Sequence, residues 1–123
     1  MDIAKEQELS MAVMNLIATE EHLAFTSAKT GRKEYLDLYM AVRKLRSRNM
    51  NELVKNKNAE SWCASKHLLS TTMRLMETAI KYGASGEKER AMELLDDAIE
   101  AYQIFWFLQT LAGKKGMEKG AKK

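Results

Sequence analysis

The densest grouping of side chains able to do chemistry is Glu20-Glu21-His22, two carboxylates beside an imidazole. With 3.6 residues per helical turn, sequence neighbours point about 100° apart, so on a helix these three cannot converge on one ion. Helical di-iron proteins instead use Glu-x-x-His on facing helices. The residues three before His22 and His67 are Thr19 and Ala64, which excludes that chemistry. Cys63 and His67 are better spaced, at i and i+4. Zinc takes three or four protein ligands, so this pair is at most part of a metal site and no metal is assigned. A thiolate–imidazole nucleophile would also need an oxyanion hole and a cleft, and nothing in the sequence supplies either. No catalytic residue and no cofactor is assigned, and the expectation is a protein that is not an enzyme.

Two charged residues stand where a charge is costly. Glu20 lies in the middle of an apolar stripe formed by Leu16, Ile17, Leu23 and Ala24, and Arg46 lies between Val42 and Met50. If a hairpin turns near residue 30, the two come within about one helical turn of each other, and Arg46 leans back toward Glu20. The spacing predicts a polar core pair, Glu20 with Arg46, that fixes helix register. A small-ligand pocket at the same place is the functional alternative. Tyr39, Tyr102 and Gln109 are candidates for further hydrogen bonds there.

The elements that must hold these residues are long helices. The chain has 123 residues and no proline, and its six glycines fall almost entirely at breaks between amphipathic segments. Helix 1 is expected over 3–28, ending at Gly31, and helix 2 over 33–55. Asn58 is expected to cap a third helix over 59–82 that stops at Gly83, and Ser85 to cap a fourth that ends near Ala112. Matched lengths and short turns predict an all-α fold, a four-helix up-and-down antiparallel bundle. It would form one domain over 1–112, followed by a basic, disordered tail over 113–123. One cysteine excludes an internal disulfide, and no segment approaches a membrane span. A cytoplasmic protein is expected.

The apolar stripe on helix 2 is read as Tyr35, Leu38, Tyr39, Val42, Leu45, Met50 and Leu53. That on helix 3 is Trp62, Leu68, Leu69, Met73, Leu75, Met76, Ala79 and Ile80. Helix 4 offers Leu94, Leu95, Ala98, Ile99, Tyr102, Phe105, Trp106 and Leu108. Beyond that stripe, Ile104, Phe107 and Leu111 point the other way. A helix apolar all round touches a second surface, so these three are the expected oligomer or partner surface.

The net charge of +3 is carried by the tail, where five lysines face one glutamate. The remaining 112 residues hold 15 basic and 16 acidic groups. Arg43, Lys44 and Arg48, together with Lys114 and Lys115, form a candidate basic surface for phosphates, the basis of a nucleic-acid alternative.

The stretches Asn15-Leu16-Ile17-Ala18-Thr19-Glu20-Glu21-His22-Leu23-Ala24 and Trp62-Cys63-Ala64-Ser65-Lys66-His67-Leu68-Leu69 resemble segments of a small uncharacterised all-helical family of archaea and small-genome bacteria. The resemblance covers most of residues 5–110. It implies a helical bundle and a cytoplasmic setting, and carries over no activity and no site. The functional expectation is a non-catalytic interaction or scaffold protein that forms a homo-oligomer or binds another protein. The alternatives are an accessory nucleic-acid binder and a bundle holding a small ligand or a metal.

Overall fold

A computed structural model describes residues 3–112. The tail over 113–123, with Lys114 and Lys115, lies outside the described residues. The fold is all-α, with four helices: α1 Ile3–Thr30, α2 Lys33–Leu53, α3 Ala59–Ala84 and α4 Lys88–Ala112. They form two antiparallel hairpins, α1 with α2 and α3 with α4. The chain divides after Leu53 into two compact units, one hairpin in each.

In the first unit the turn is made by Gly31, whose φ of +68° is left-handed backbone that side chains resist. Its N–H donates to the Ser27 carbonyl at 2.8 Å and closes α1. Arg32 spans the turn, donating to Glu34 at 3.3 Å and lying over the Tyr35 ring. Burial is confined to the end of this hairpin away from the turn. Ser10, Val13, Met14, Ile17 and Glu20 on α1 and Arg46, Met50 and Leu53 on α2 are buried. No residue from 21 to 45 is. Leu38 and Leu45, expected in the apolar stripe of the second helix, are 52% and 39% exposed. The covered line runs instead through Tyr35, Tyr39, Val42, Arg46 and Met50. Leu38 and Leu45 lie about a quarter turn away from it, beyond what one neighbouring helix covers.

The second unit opens with a diverted backbone. The Lys55 N–H, which would continue α2, donates to the Gln109 side chain at 3.1 Å. The Lys57 ammonium donates to the Val54 carbonyl. These two bonds explain why α2 stops at Leu53 rather than Lys55. Asn58 caps α3, its side chain accepting from Ser61 N at 2.9 Å.

Along α3 the buried residues are Ser65, Leu69, Thr72 and Ala79, and along α4 Ala91, Leu94, Ala98, Ala101, Phe105 and Gln109. This alternation of three and four is the seam of a close antiparallel pair, and its small residues let the backbones approach. One register holds at both ends: Gln109 reaches Ser65 at 3.0 Å, and a Cβ at Gly83 would lie 3.8 Å from that of Ala91. Ile80 and Ile99, expected in the stripes, lie off this narrow seam and are exposed.

Two expectations at the α3–α4 turn are corrected. Gly83 does not stop the third helix, which continues to Ala84; the left-handed residue is Gly86, with φ +86°. Ser85 does not cap α4. It is the C-cap of α3, its hydroxyl donating to the Tyr82 carbonyl at 3.0 Å and lying 3.1 Å from the Glu87 carboxylate. The two glycines should therefore respond oppositely to the same change. Gly86→Ala forces a Cβ into left-handed backbone and should cost about 1 kcal/mol. Gly83→Ala meets ordinary contact distance within a helix and should add about 0.5 kcal/mol. Urea unfolding of both variants checks this, and equal effects would refute the assignment of the turn.

Candidate functional site

The one buried ion pair among the described residues joins α1 to α2. Arg46 Nε donates to Glu20 Oε2 at 2.7 Å and Nη2 donates to Oε1 at 3.0 Å, a bidentate fork that uses both carboxylate oxygens. The side chains are 2% and 8% exposed. The remaining terminal nitrogen, Nη1, lies 3.9 Å from Met50 Sδ. One helix supplies the acid and the other the base. The shared geometry therefore sets how far α2 slides along α1, because planar bidentate contact tolerates little displacement. Each carboxylate oxygen of Glu20 thus accepts one guanidinium N–H, and the pair lies buried between the two helices. Tyr39 is half-buried on α2, with no hydrogen bond to the pair among those described.

Gln109 does different work from that expected of it. Within the second unit its oxygen accepts from Lys55 N, and its nitrogen donates to Ser65 Oγ and to the Phe105 carbonyl at 3.0 Å each. One buried amide thus satisfies a loop N–H and ties α4 to α3. Sequence reasoning noticed this residue but not its partners, since a loop amide carries no side-chain signal. Nearby, Trp106 packs edge-on against Phe105 (4.9 Å between ring centres) and Tyr102 (5.8 Å). Its Nε1 is buried without a hydrogen-bond partner among the described residues.

Cys63 and His67 lie one turn apart on α3, both exposed. Among the described residues no three or more His, Cys, Asp or Glu side chains are grouped to hold a metal ion. No helix there is long and apolar enough to cross a membrane. An open surface depression of about 530 Å³ lies at the start of α4, lined by Gly86, Glu87, Lys88, Glu89, Arg90 and Glu93. It adjoins the α3–α4 turn made by Ser85 and Gly86. Of its two basic members, Lys88 and Arg90, Arg90 is paired with Glu93 at 3.1 Å, which raises the guanidinium pKa above its ordinary value.

The apolar residues singled out on α4 are placed outward: Phe107 is 62% and Ile104 48% exposed, and Leu111 is half-buried. In the first unit Phe25, Leu36 and Met40 are also exposed, a set that a reading for buried stripes did not find. Arg43, Lys44 and Arg48 are all exposed, but they do not form one patch. Lys44 and Arg48 share a stripe of α2, and Arg43 is turned about 100° from Lys44. Glu34, Asp37 and Glu52 are exposed on the same side as Lys44 and Arg48. The Glu34 carboxyl is held below the usual carboxylate range by a backbone N–H at the start of α2, and further by Arg32.

No protein-family model matches the chain, and no curated protein or solved structure shows significant similarity to it.

The ion pair makes a sharp stability prediction. Glu20→Ala leaves a guanidinium buried and unpaired and should cost about 3–5 kcal/mol, whereas the double change Glu20→Leu with Arg46→Met should recover most of that loss. Chemical denaturation of the three proteins tests the pairing; equal losses in the single and double variants would show that the two side chains are not coupled. Gln109→Leu strands the Lys55 N–H and should cost about 1–3 kcal/mol by the same measurement.

Proposed function

We propose that this chain is a non-catalytic helical interaction protein that associates with itself, using the outward apolar side of α4. The observation that supports this reading is the exposure of Phe107 and Ile104, about one turn apart and turned away from the buried seam of α4, with Leu111 continuing the line. Large apolar groups gathered on one side of a helix are best covered by another protein surface. The buried polar groups favour the same reading. Glu20 and Arg46 hold each other, and Gln109 holds Ser65 and the backbone, an arrangement suited to a rigid scaffold rather than to a reacting centre. A cytoplasmic setting fits a chain with a single, exposed cysteine. The nucleic-acid alternative is less well supported, because the exposed bases of α2 share their side with Glu34, Asp37 and Glu52.

Native mass spectrometry of the full chain tests this. The wild-type protein should appear as a dimer or larger assembly. Phe107→Glu should remove at least one step of assembly, weakening association roughly a hundredfold, since it takes a buried aromatic ring out of the contact. Its helix content by circular dichroism should be unchanged, because the side chain is mostly exposed within the chain. A monomeric wild-type protein would overturn the proposal.

A further inference from the structure

The outward side of α2 has a pattern that its inward side does not. Along one stripe run Glu34, Asp37, Ala41, Lys44 and Arg48, all exposed. Positions seven apart on a helix return to within about 20° of each other. Glu34, Ala41 and Arg48 therefore form a centre line. Asp37 and Lys44 lie along one flank of it, and the exposed Leu38 and Leu45 along the other. Between residues 34 and 48 the sign of charge reverses across Ala41, with two acids before it and two bases after; Glu52 lies one turn beyond Arg48, outside the span that pairing about Ala41 sets against α2.

Such a stripe is the complement of itself when its direction is inverted. In an antiparallel pair of identical helices, a two-fold axis across the pair keeps each flank on its own side and reverses the chain. With the axis at Ala41, Glu34 of one copy meets Arg48 of the second and Asp37 meets Lys44. Leu38 meets Leu45, and the small Ala41 meets itself where the backbones come closest. Each contact off the axis occurs twice. We infer that α2 pairs antiparallel with α2 of a second copy of this chain, about a two-fold axis at Ala41.

The charges favour this occupant over others. Parallel pairing would set acid against acid and base against base. A phosphate backbone would be repelled by the acidic half of the stripe. Among the described residues Asp37, Lys44 and Arg48 make no ion pair within the chain, and Glu34 pairs with the exposed Arg32 of the turn. Charge complementarity of this kind fixes orientation and register, and the two leucines supply the apolar contact. The inference rests on the reading of the protein as self-associating and adds a second contact, on another helix, with its register.

The experiment uses the full chain carrying Phe107→Glu, which removes the contribution of α4, and reads association by sedimentation equilibrium. This protein should still dimerise, more weakly as salt is raised. Adding Asp37→Lys, or separately Lys44→Asp, sets like charges together twice and should weaken the dimer roughly tenfold or more. An equimolar mixture of these two variants restores both attractive contacts, so it should form a heterodimer at least as strong as the parent. Both positions are exposed, and circular dichroism should show unchanged helix content. If the Phe107→Glu protein is monomeric while the wild type is not, the α2 contact is overturned and the α4 contact stands. If the charge variants associate like their parent, or their mixture does not recover, the register is overturned. If the wild type itself is monomeric, both readings fall together.

Discussion

Two antiparallel helices can cover only one stripe on each other, and that limit governs what each hairpin of this protein buries within itself. A helix presents its residues around a full circle, and a single neighbour screens roughly the facing third. In the second unit the chain obeys the limit closely. Its covered seam is narrow and built from Ala79, Ala91, Ala98 and Ala101, with Leu69, Leu94 and Phe105 between them. Small residues draw the backbones together and leave the larger side chains on either side of the contact. Ile80, Ile99, Ile104 and Phe107 are exposed for that reason. The first unit carries the same tension further, since its helices run on past Glu20 and before Arg46 without a buried side chain.

The Glu20–Arg46 fork fits this geometry. Apolar stripes alone allow a helix to slip along its partner at modest cost, because leucine and methionine repack readily. A bidentate pair does not allow it: displacement by one turn would strand two charges in a dry place. Gln109 does for the second unit what the fork does for the first, but with neutral groups. Its amide joins α4, α3 and the backbone at Lys55, so a helix seam and a loop conformation depend on one side chain. In both units the buried polar group specifies register, and the apolar residues supply cohesion.

The legibility of these features in the sequence followed from their physical origin. Helices and their class were readable because the absence of proline and the 3.6-residue period act locally. Asn58 was readable as a cap for the same reason. Glu20 and Arg46 could be matched because two charges, each alone in an apolar stripe, have few other ways to be satisfied. Gly83 and Gly86 were confused because both permit left-handed backbone, and only the path of the chain decides which uses it. Leu38 and Leu45 were misplaced because the apolar arc of α2 is wider than the line one neighbour covers. Gln109 was noticed, but its main partner is a backbone N–H, which no composition or spacing announces.

The fates of Arg46 and Arg48 show how position gives one residue type two uses. They are two residues apart on α2 and therefore point about 200° apart. Arg46 faces inward, where desolvation makes its charge expensive and a bidentate acid indispensable. Arg48 faces outward, where a charge is stabilised by water and gains little from any single partner. An outward charge acts instead through pattern. Glu34 and Asp37 before Ala41, with Lys44 and Arg48 after it, admit one direction of approach by an identical helix and oppose the other. That opposition is felt twice in a symmetric pair, so weak surface charges can set orientation while contributing little to strength. The apolar contacts then need only provide adhesion. On this argument α2 uses charge inside the chain to fix its place along α1, and charge outside it to fix the place of a neighbour.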